Sequence, residues 1–135
     1  MNTSPFILKI YLQSKETSDF PLVAVSIFIA KPIPFVEEML EAFAKLDYPK
    51  KKIVLYIFNS QPFVMNFLSK HGDEYYSKKI VNGVTEIGDR EARQEALTFA
   101  SRFDTDFLFM LDGDVMFTNE KTIQILIEAS VNYEL

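Results

Sequence analysis

The sequence predicts an α/β fold with three layers, in which helices cover a Rossmann-like, mostly parallel sheet. Three apolar runs rich in Val, Ile, Leu and Phe have the length and composition of buried strands, which are typical of parallel sheets, and residues 77–81 are predicted to form a weaker fourth strand. Segments with apolar residues at helical spacing alternate with these runs. No two runs are joined by a hairpin-type turn, so we expect right-handed βαβ units. The length of 135 residues suits one domain or part of one.

The first half of the chain is predicted to hold two strands with a helix between them. Residues 1–20 are a mixed, polar lead-in, and the domain covers residues 21–135. Strands are expected over residues 22–29 and 53–58. Pro49 ends the intervening helix, because proline disfavours helical geometry at the residue before it. The apolar positions that predict this helix are Phe35, Met39, Leu40, Phe43 and Leu46.

The alternation continues through a second helix, a third strand and a third helix. Residues 62–70 form a short helix closed by Gly72, and residues 77–81 form a weaker strand. Asp89 is predicted to be the N-cap of a helix that runs to about Arg102.

The fourth strand is the most apolar of all, and we expect it to be buried. It covers residues 107–111 and delivers Asp112 at its end. Thr118 or Asn119 then caps a last helix. Ligands of open α/β sheets bind beyond the carboxyl ends of the strands. The loops after the first, second and fourth strands should therefore lie together at one edge.

Composition and charge exclude several classes of function. The net charge of −5 argues against nucleic-acid binding, which needs basic patches to replace phosphate counterions. The run Lys50–Lys52 is interpreted as a solvated turn before a strand. Without cysteine there is no disulfide framework. No stretch approaches the roughly 20 apolar residues of a transmembrane helix, and residues 6–12 make a poor signal peptide.

Asp112, Gly113 and Asp114 form the candidate metal site. Residues i and i+2 of an extended segment point to the same side, so the two carboxylates are expected to converge on one cation. The glycine between them allows a turn and a close approach of a ligand. Carboxylate oxygens suit Mg²⁺ or Mn²⁺, which would keep positions open for diphosphate oxygens. The alternative is an exposed Asp-Gly turn that only ends a strand.

Three further residues are candidates for contacts with a nucleotide. Arg90 and Arg93 lie on the helix before the last strand, where they are placed to face a diphosphate. Asn59 follows the second strand, where a polar side chain is placed to contact a nucleobase. The alternatives are exposed arginines paired with nearby acidic residues, and an asparagine that only precedes the next helix. The acidic residues concerned are Glu86, Asp89 and Glu91.

Several segments resemble the glycosyltransferase-like central module of the procollagen-lysine 2-oxoglutarate 5-dioxygenases, also called lysyl hydroxylases. The resemblance covers residues 22 to about 129, and a shorter part is also similar to the collagen galactosyltransferases. The most specific segments are residues 46–50, read as Leu-Asp-Tyr-Pro-Lys, and residues 118–128. The other matching segments are residues 27–35, residues 91–93 and Asp112-Gly113-Asp114-Val115. Residues 93–100 are the part that is similar to the collagen galactosyltransferases.

The resemblance implies a glycosyltransferase-A fold, of which this chain holds the N-terminal, donor-binding half only. It implies an endoplasmic-reticulum protein of collagen biosynthesis, with procollagen as the partner of the parent protein and Mn²⁺ or Mg²⁺ with a UDP-sugar as cofactors of an active module. The module resembled is the accessory one, so the first expectation is an accessory segment. The alternative is an active metal-dependent UDP-sugar transferase that acts on hydroxylysine of collagen. Asn59 stands where active glycosyltransferases commonly carry an aspartate for the nucleotide.

The hydroxylase chemistry of the resembled family is not expected in this segment. That chemistry uses Fe²⁺, 2-oxoglutarate and ascorbate at a site of two histidines and one carboxylate. The chain contains one histidine. We therefore expect a fragment of a longer enzyme that does not hydroxylate lysine by itself.

Overall fold

A computed structural model describes residues 19–29, 33–59, 63–82 and 88–132. Predictions that concern the lead-in over residues 1–18 lie outside this part of the chain. The described residues contain the strands β1 (Val23–Ile29), β2 (Ile53–Asn59), β3 (Ser77–Asn82) and β4 (Phe107–Asp112). The helices are α1 (Val36–Ala44), α2 (Phe63–His71), α3 (Asp89–Ser101) and α4 (Thr122–Asn132). Short 3₁₀ turns at Lys50–Lys52 and Gly72–Glu74 precede β2 and β3.

The four strands form one parallel sheet in the order β3-β2-β1-β4. Val23 is aligned with Ile53 on one side and with Phe107 on the other, so the three strands start level. At the other end, Phe28 is aligned with Asp112, and Ile29 with Asn59. Parallel neighbours joined through helices confirm the predicted α/β class, and their carboxyl ends share one edge.

The sheet separates two hydrophobic cores, as a three-layer fold requires. Alternate residues of β1 face opposite sides, because side chains of a strand alternate. Val25 and Ile27 pack with α1, α2 and α4, whereas Ala24 and Phe28 pack with α3. On α3 the buried positions recur at helical spacing and are Ala92, Ala96, Phe99 and Ala100. The helix therefore turns a narrow, small-residue face to the sheet, which brings its backbone close to β1 and β2.

The prediction that the fourth strand is buried is wrong. Every residue of β1 is buried, but β4 is half-buried along its length, and Met110 is 38% exposed. The reason is its position: among the described residues, β4 pairs with β1 and with no other strand. An apolar run predicts a strand from local composition, but burial depends on the number of neighbouring strands.

Two helix starts differ from the predictions. The N-cap of α3 is Gly88, whose backbone is extended, and Asp89 is the first residue of the helix. No side chain makes a capping hydrogen bond at this helix start. The Asp89 carboxylate accepts a hydrogen bond from Arg93 instead. At the other end of the chain, α4 begins at Thr122, later than predicted, although Asn119 Oδ1 does accept a hydrogen bond from the backbone N–H of Lys121 at 2.9 Å. In the described segments no helix has the length and hydrophobicity of a membrane span.

Candidate functional site

The candidate site lies where the strand order reverses. The chain moves outward from β1 to β2 and β3, and then crosses over the sheet to place β4 on the other side of β1. Such a reversal leaves a crevice between the two adjacent strands at their carboxyl ends, since their following loops separate to opposite sides. Asp112 is the last residue of β4 and is aligned with Phe28 of β1. The prediction that the first, second and fourth strands end at one edge of the sheet is confirmed.

Asp112 forms an ion pair with Arg93 at this edge of the sheet. The distance from Arg93 Nη2 to Asp112 Oδ1 is 2.8 Å. Both side chains reach water, since Asp112 is 67% and Arg93 39% exposed. The two residues meet because Asp112 lies on the face of the sheet that α3 covers. Arg93 lies on α3, one turn from the start of that helix. The pair places a carboxylate and a guanidinium side by side at the carboxyl edge of the sheet.

Arg93 has two further contacts that hold its guanidinium in place. Its Nε donates to Asp89 Oδ2 at 3.1 Å, one helical turn earlier. Its guanidinium carbon lies 4.3 Å from the centre of the Phe28 ring, within the range of a cation–π contact. The hydrogen bond to Asp112, and then that to Asp89, raises the pKa of the arginine above its ordinary value. The side chain is therefore a fixed positive charge with three defined neighbours.

Gly113 connects Asp112 to the following loop and packs tightly against β1. Its N–H donates to the carbonyl of Phe28 at 2.8 Å, which extends the strand pairing by one residue. A Cβ atom at this position would lie 2.9 Å from Ile29 Cγ1, 3.0 Å from Ile33 Cδ1 and 3.1 Å from Phe28 O. Close approach to a neighbouring backbone is thus what requires glycine here.

Asp114 lies in the turn that follows the strand, and it is exposed. The extended segment ends at Asp112, so the alternation of side chains on a strand does not determine the direction of Asp114. Because the strand ends at Asp112, strand alternation does not by itself bring the two carboxylates together, and their convergence stays a prediction.

The loop that carries Asp114 is attached to the body of the protein at its far end. Phe117 packs on Phe43 of α1, with ring centres 5.5 Å apart. The N–H of Asp47 donates to the carbonyl of Glu120 at 2.7 Å, and Lys121 Nζ lies 2.5 Å from Asp47 Oδ2. Together with Gly113 at its start, these contacts restrict the loop at both ends.

The two carboxylates belong to the class of ligand that hard cations take, but the described residues form no metal cage by themselves. Within the segments that the structure describes, no group of three or more His, Cys, Asp or Glu side chains is arranged around a common metal position. Asp112 and Asp114 supply hard carboxylate oxygens from exposed positions. Mg²⁺ and similar ions are commonly bound by one or two carboxylates, with water and substrate phosphate oxygens as the other ligands. The pair suits that mode and does not suit a cage formed by protein alone.

The remaining predicted residues are placed less closely. Arg90 is exposed on α3, and no ion pair or hydrogen bond of its side chain is found among the described residues. Asn59 ends β2 at the same edge, but β1 lies between it and β4, so the strands of Asn59 and Asp112 are about 10 Å apart. Arg93 is thus the predicted nucleotide contact that the fold brings to Asp112.

Phe28 and Asp89 belong to the site and were not assigned to it from the sequence. Asp89 and Arg93 have i,i+4 spacing, which was a usable signal, and pairing of Arg93 with Asp89 was among the predicted alternatives. Phe28 had no local signal, because its contact with Arg93 depends on the packing of α3 against β1.

Three procollagen lysine hydroxylases are similar in sequence to this chain. Over 128 residues, covering 92% of this chain, it is 50% identical to the multifunctional procollagen lysine hydroxylase and glycosyltransferase of Caenorhabditis elegans. It is 33% identical over 117 residues to procollagen-lysine,2-oxoglutarate 5-dioxygenase 1 of Bos taurus. It is 34% identical over 113 residues to procollagen-lysine,2-oxoglutarate 5-dioxygenase 2 of Homo sapiens. The matches to the Bos taurus and Homo sapiens enzymes cover 83% and 80% of this chain. This chain spans 18% of the length of the C. elegans relative, 16% of the Bos taurus enzyme and 15% of the Homo sapiens enzyme. No protein-family model matches.

Two solved structures, one of them a mannosyltransferase, share the fold. A mannosyltransferase of Pyrobaculum calidifontis, determined in complex with GDP-Man and Mn²⁺, superposes with a TM-score of 0.68 over 96% of this chain and 41% of its own, at 18% identity. TarS of S. aureus gives a TM-score of 0.58 over 82% of this chain and 19% of its own, at 16% identity. The chain is therefore homologous to a glycosyltransferase-like region of the procollagen lysine hydroxylases, and it has part of a glycosyltransferase-A fold.

Proposed function

We propose that this segment is the glycosyltransferase-like module of a collagen-modifying protein, and that it binds a divalent cation together with the diphosphate of a nucleotide sugar. The observation that carries the proposal is the pairing of an exposed Asp112 with Arg93 at the reversal of strand order. A carboxylate for the cation and a guanidinium for the phosphates are the two charges that a cation–diphosphate complex needs side by side.

The roles of the residues follow from their positions. Asp112 and Asp114 would hold Mn²⁺ or Mg²⁺, and Arg93 would contact the diphosphate. Arg90 and Asn59 remain candidates for further nucleotide contacts at the same edge. A bound cation supplies Lewis-acid stabilisation of the charge on a departing nucleoside diphosphate. The protein contributes the fixed arginine and a loop restricted at both ends, so little ordering is needed when the donor binds.

The acceptor, the compartment and the iron chemistry belong to the longer protein in this proposal. The C. elegans relative is named for lysine hydroxylation and glycosyl transfer, and this chain spans 18% of its length. We assign collagen as the acceptor and the endoplasmic reticulum lumen as the location through that homology. Hydroxylation by this segment alone is not proposed, because its one histidine does not make a two-histidine iron site.

A second function, as an accessory module that spaces or dimerises the catalytic domains, is favoured by one observation. Among the described residues, no three or more His, Cys, Asp or Glu side chains surround a common metal position, so this edge has no preformed cage for a cation. Under this function the Asp112 edge is a structural remnant that binds neither cation nor nucleotide.

Isothermal titration with MnCl₂ and UDP separates the two functions. The matched variants are Asp112→Ala and Asp106→Ala, which remove the same charge from opposite ends of β4, at two exposed positions. The proposal predicts binding to the natural chain, loss of binding in Asp112→Ala and unchanged binding in Asp106→Ala. A folded natural chain that gives no heat with Mn²⁺ and UDP would favour the accessory function.

A further inference from the structure

We propose that Arg93 is an exchangeable counter-ion of Asp112: it occupies the carboxylate until a cation replaces it, and is thereby released to bind the diphosphate. This inference rests on the proposed function and adds an order of events to it. Cation and arginine compete for Asp112, whereas cation and diphosphate bind cooperatively.

The competition follows from the 2.8 Å contact between Arg93 Nη2 and Asp112 Oδ1. A cation bound through Asp112 would lie next to the guanidinium, and two positive charges at such a distance repel each other. The ion pair is exposed on both sides, and exposed ion pairs contribute little to stability. Exchange of the arginine for a cation should therefore change the free energy of unfolding little.

The release of Arg93 leaves it in the site and does not free it into solvent. Its Nε bond to Asp89 and its position over the Phe28 ring involve atoms other than Nη2, so both contacts persist when Asp112 is taken by the cation. Nη2 then lacks its carboxylate partner beside the newly bound cation. A guanidinium with free N–H donors is well suited to phosphate oxygens. Each ligand thereby improves the site for the other, which is thermodynamic coupling.

An opposite role is also conceivable for the same contact. If Arg93 served to orient Asp112 for the metal, its removal would weaken cation binding, whereas an exchangeable counter-ion predicts stronger cation binding without it. The sign of the effect therefore distinguishes the two roles.

The experiment titrates MnCl₂ into the natural chain, Arg93→Gln, Arg93→Lys and Arg102→Gln, with and without UDP. Arg102 is the matched control, because it is exposed just after the opposite end of α3. With Mn²⁺ alone, Arg93→Gln should bind about fivefold more tightly than the natural chain, the size of an exposed charge interaction. Arg93→Lys, which keeps the charge, and Arg102→Gln should both stay within about twofold of it. UDP should strengthen Mn²⁺ binding in the natural chain and should do so less in Arg93→Gln.

Nitrogen-15 spectra of the arginine side chains in the natural chain give a second readout that needs no variant. Addition of MgCl₂ should shift the Arg93 signals and leave those of Arg102 in place. Weaker Mn²⁺ binding in Arg93→Gln, or an Arg93 signal unmoved by Mg²⁺ that does bind, would overturn the exchange while the proposed function stands. Absence of Mn²⁺ binding in every variant, in the presence of UDP, would overturn both.

Discussion

Replacement of Gly113 by alanine should destabilise the protein although it adds a single methyl group. The new Cβ would lie 2.9 Å from Ile29 Cγ1 and 3.1 Å from the Phe28 carbonyl oxygen. Ile29 is fully buried in the central strand, and the Phe28 carbonyl accepts the N–H of Gly113 itself. Neither neighbour is the free end of a flexible side chain, so β4 must move away from β1 to accommodate the methyl group.

The magnitude follows from two opposing contributions. Overpacking of a well-packed region costs about 1–3 kcal/mol. The smaller conformational freedom of alanine in the unfolded chain offsets about 0.4–1 kcal/mol of that cost. We therefore expect a net loss of about 1–2 kcal/mol in the free energy of unfolding. For a domain of this size, that corresponds to a fall of roughly 3–10 °C in melting temperature.

Gly88→Ala is the matched control, since no described atom lies within 4 Å of a Cβ atom at that position. Its free energy of unfolding should change by less than about 0.5 kcal/mol, because the same entropic gain opposes a weaker N-cap preference. Thermal and urea unfolding followed by circular dichroism measure both variants. Equal stabilities of Gly113→Ala and Gly88→Ala would show that close approach to β1 is not what requires glycine.

Three further predictions concern buried polar groups and can be measured by urea unfolding. Tyr48→Phe should cost about 1 kcal/mol, because its buried hydroxyl donates to the carbonyl of Pro21. Tyr75→Phe should be neutral or slightly stabilising, because its buried hydroxyl has no hydrogen-bond partner among the described residues. Burial raises the pKa of both tyrosines above the unfolded value of 10.0. Their contribution to the free energy of unfolding is therefore fully present below pH 10 and is lost above it, because the hydroxyls ionise in the unfolded chain and stay protonated in the folded one. The loss is up to about 1.4 kcal/mol per pH unit for each tyrosine. The double variant should flatten that slope above about pH 10, and an unchanged slope there would contradict the assignment. Gln124→Ala should cost about 2 kcal/mol or more, because it removes a buried side chain that donates to the Asp47 carbonyl. Lys121→Ala removes an exposed ion pair and should cost less than about 1 kcal/mol. Equal losses of stability in the two variants would refute this ranking.

Local patterns in the sequence were sufficient to predict the order and position of the elements. Apolar spacing distinguishes buried strands from amphipathic helices within a window of a few residues, so β1, β2 and α1 were found close to their observed bounds. The burial of β4 was not predictable in this way, because it depends on which strands lie beside it. The ion pair between Arg93 and Asp112 joins residues 19 positions apart, and it follows only from the crossover of α3 over the sheet.

The two segments that most specifically indicated the family contact each other and lie away from the candidate site. Asp47, in the Leu-Asp-Tyr-Pro-Lys segment, bonds through its backbone to Glu120, Lys121 pairs with the Asp47 carboxylate, and Gln124 donates to the Asp47 carbonyl. These contacts attach the end of α1 to the start of α4. A fold requires such a contact whether or not it binds a nucleotide, so these segments identify the family without identifying an activity.

The structure divides the Asp112 turn into side chains that chemistry would use and a residue that the fold requires. Asp112 and Asp114 are exposed and Arg93 is partly exposed, so their replacement should cost little stability, whereas Gly113 is buried and should not tolerate a larger side chain. Loss of Mn²⁺ binding in Asp112→Ala with unchanged unfolding would consequently report a direct ligand. Loss of Mn²⁺ binding in Gly113→Ala would come with lowered stability and would report a displaced strand end. Measuring both properties on both variants thus separates a metal site from an Asp-Gly turn that only ends a strand.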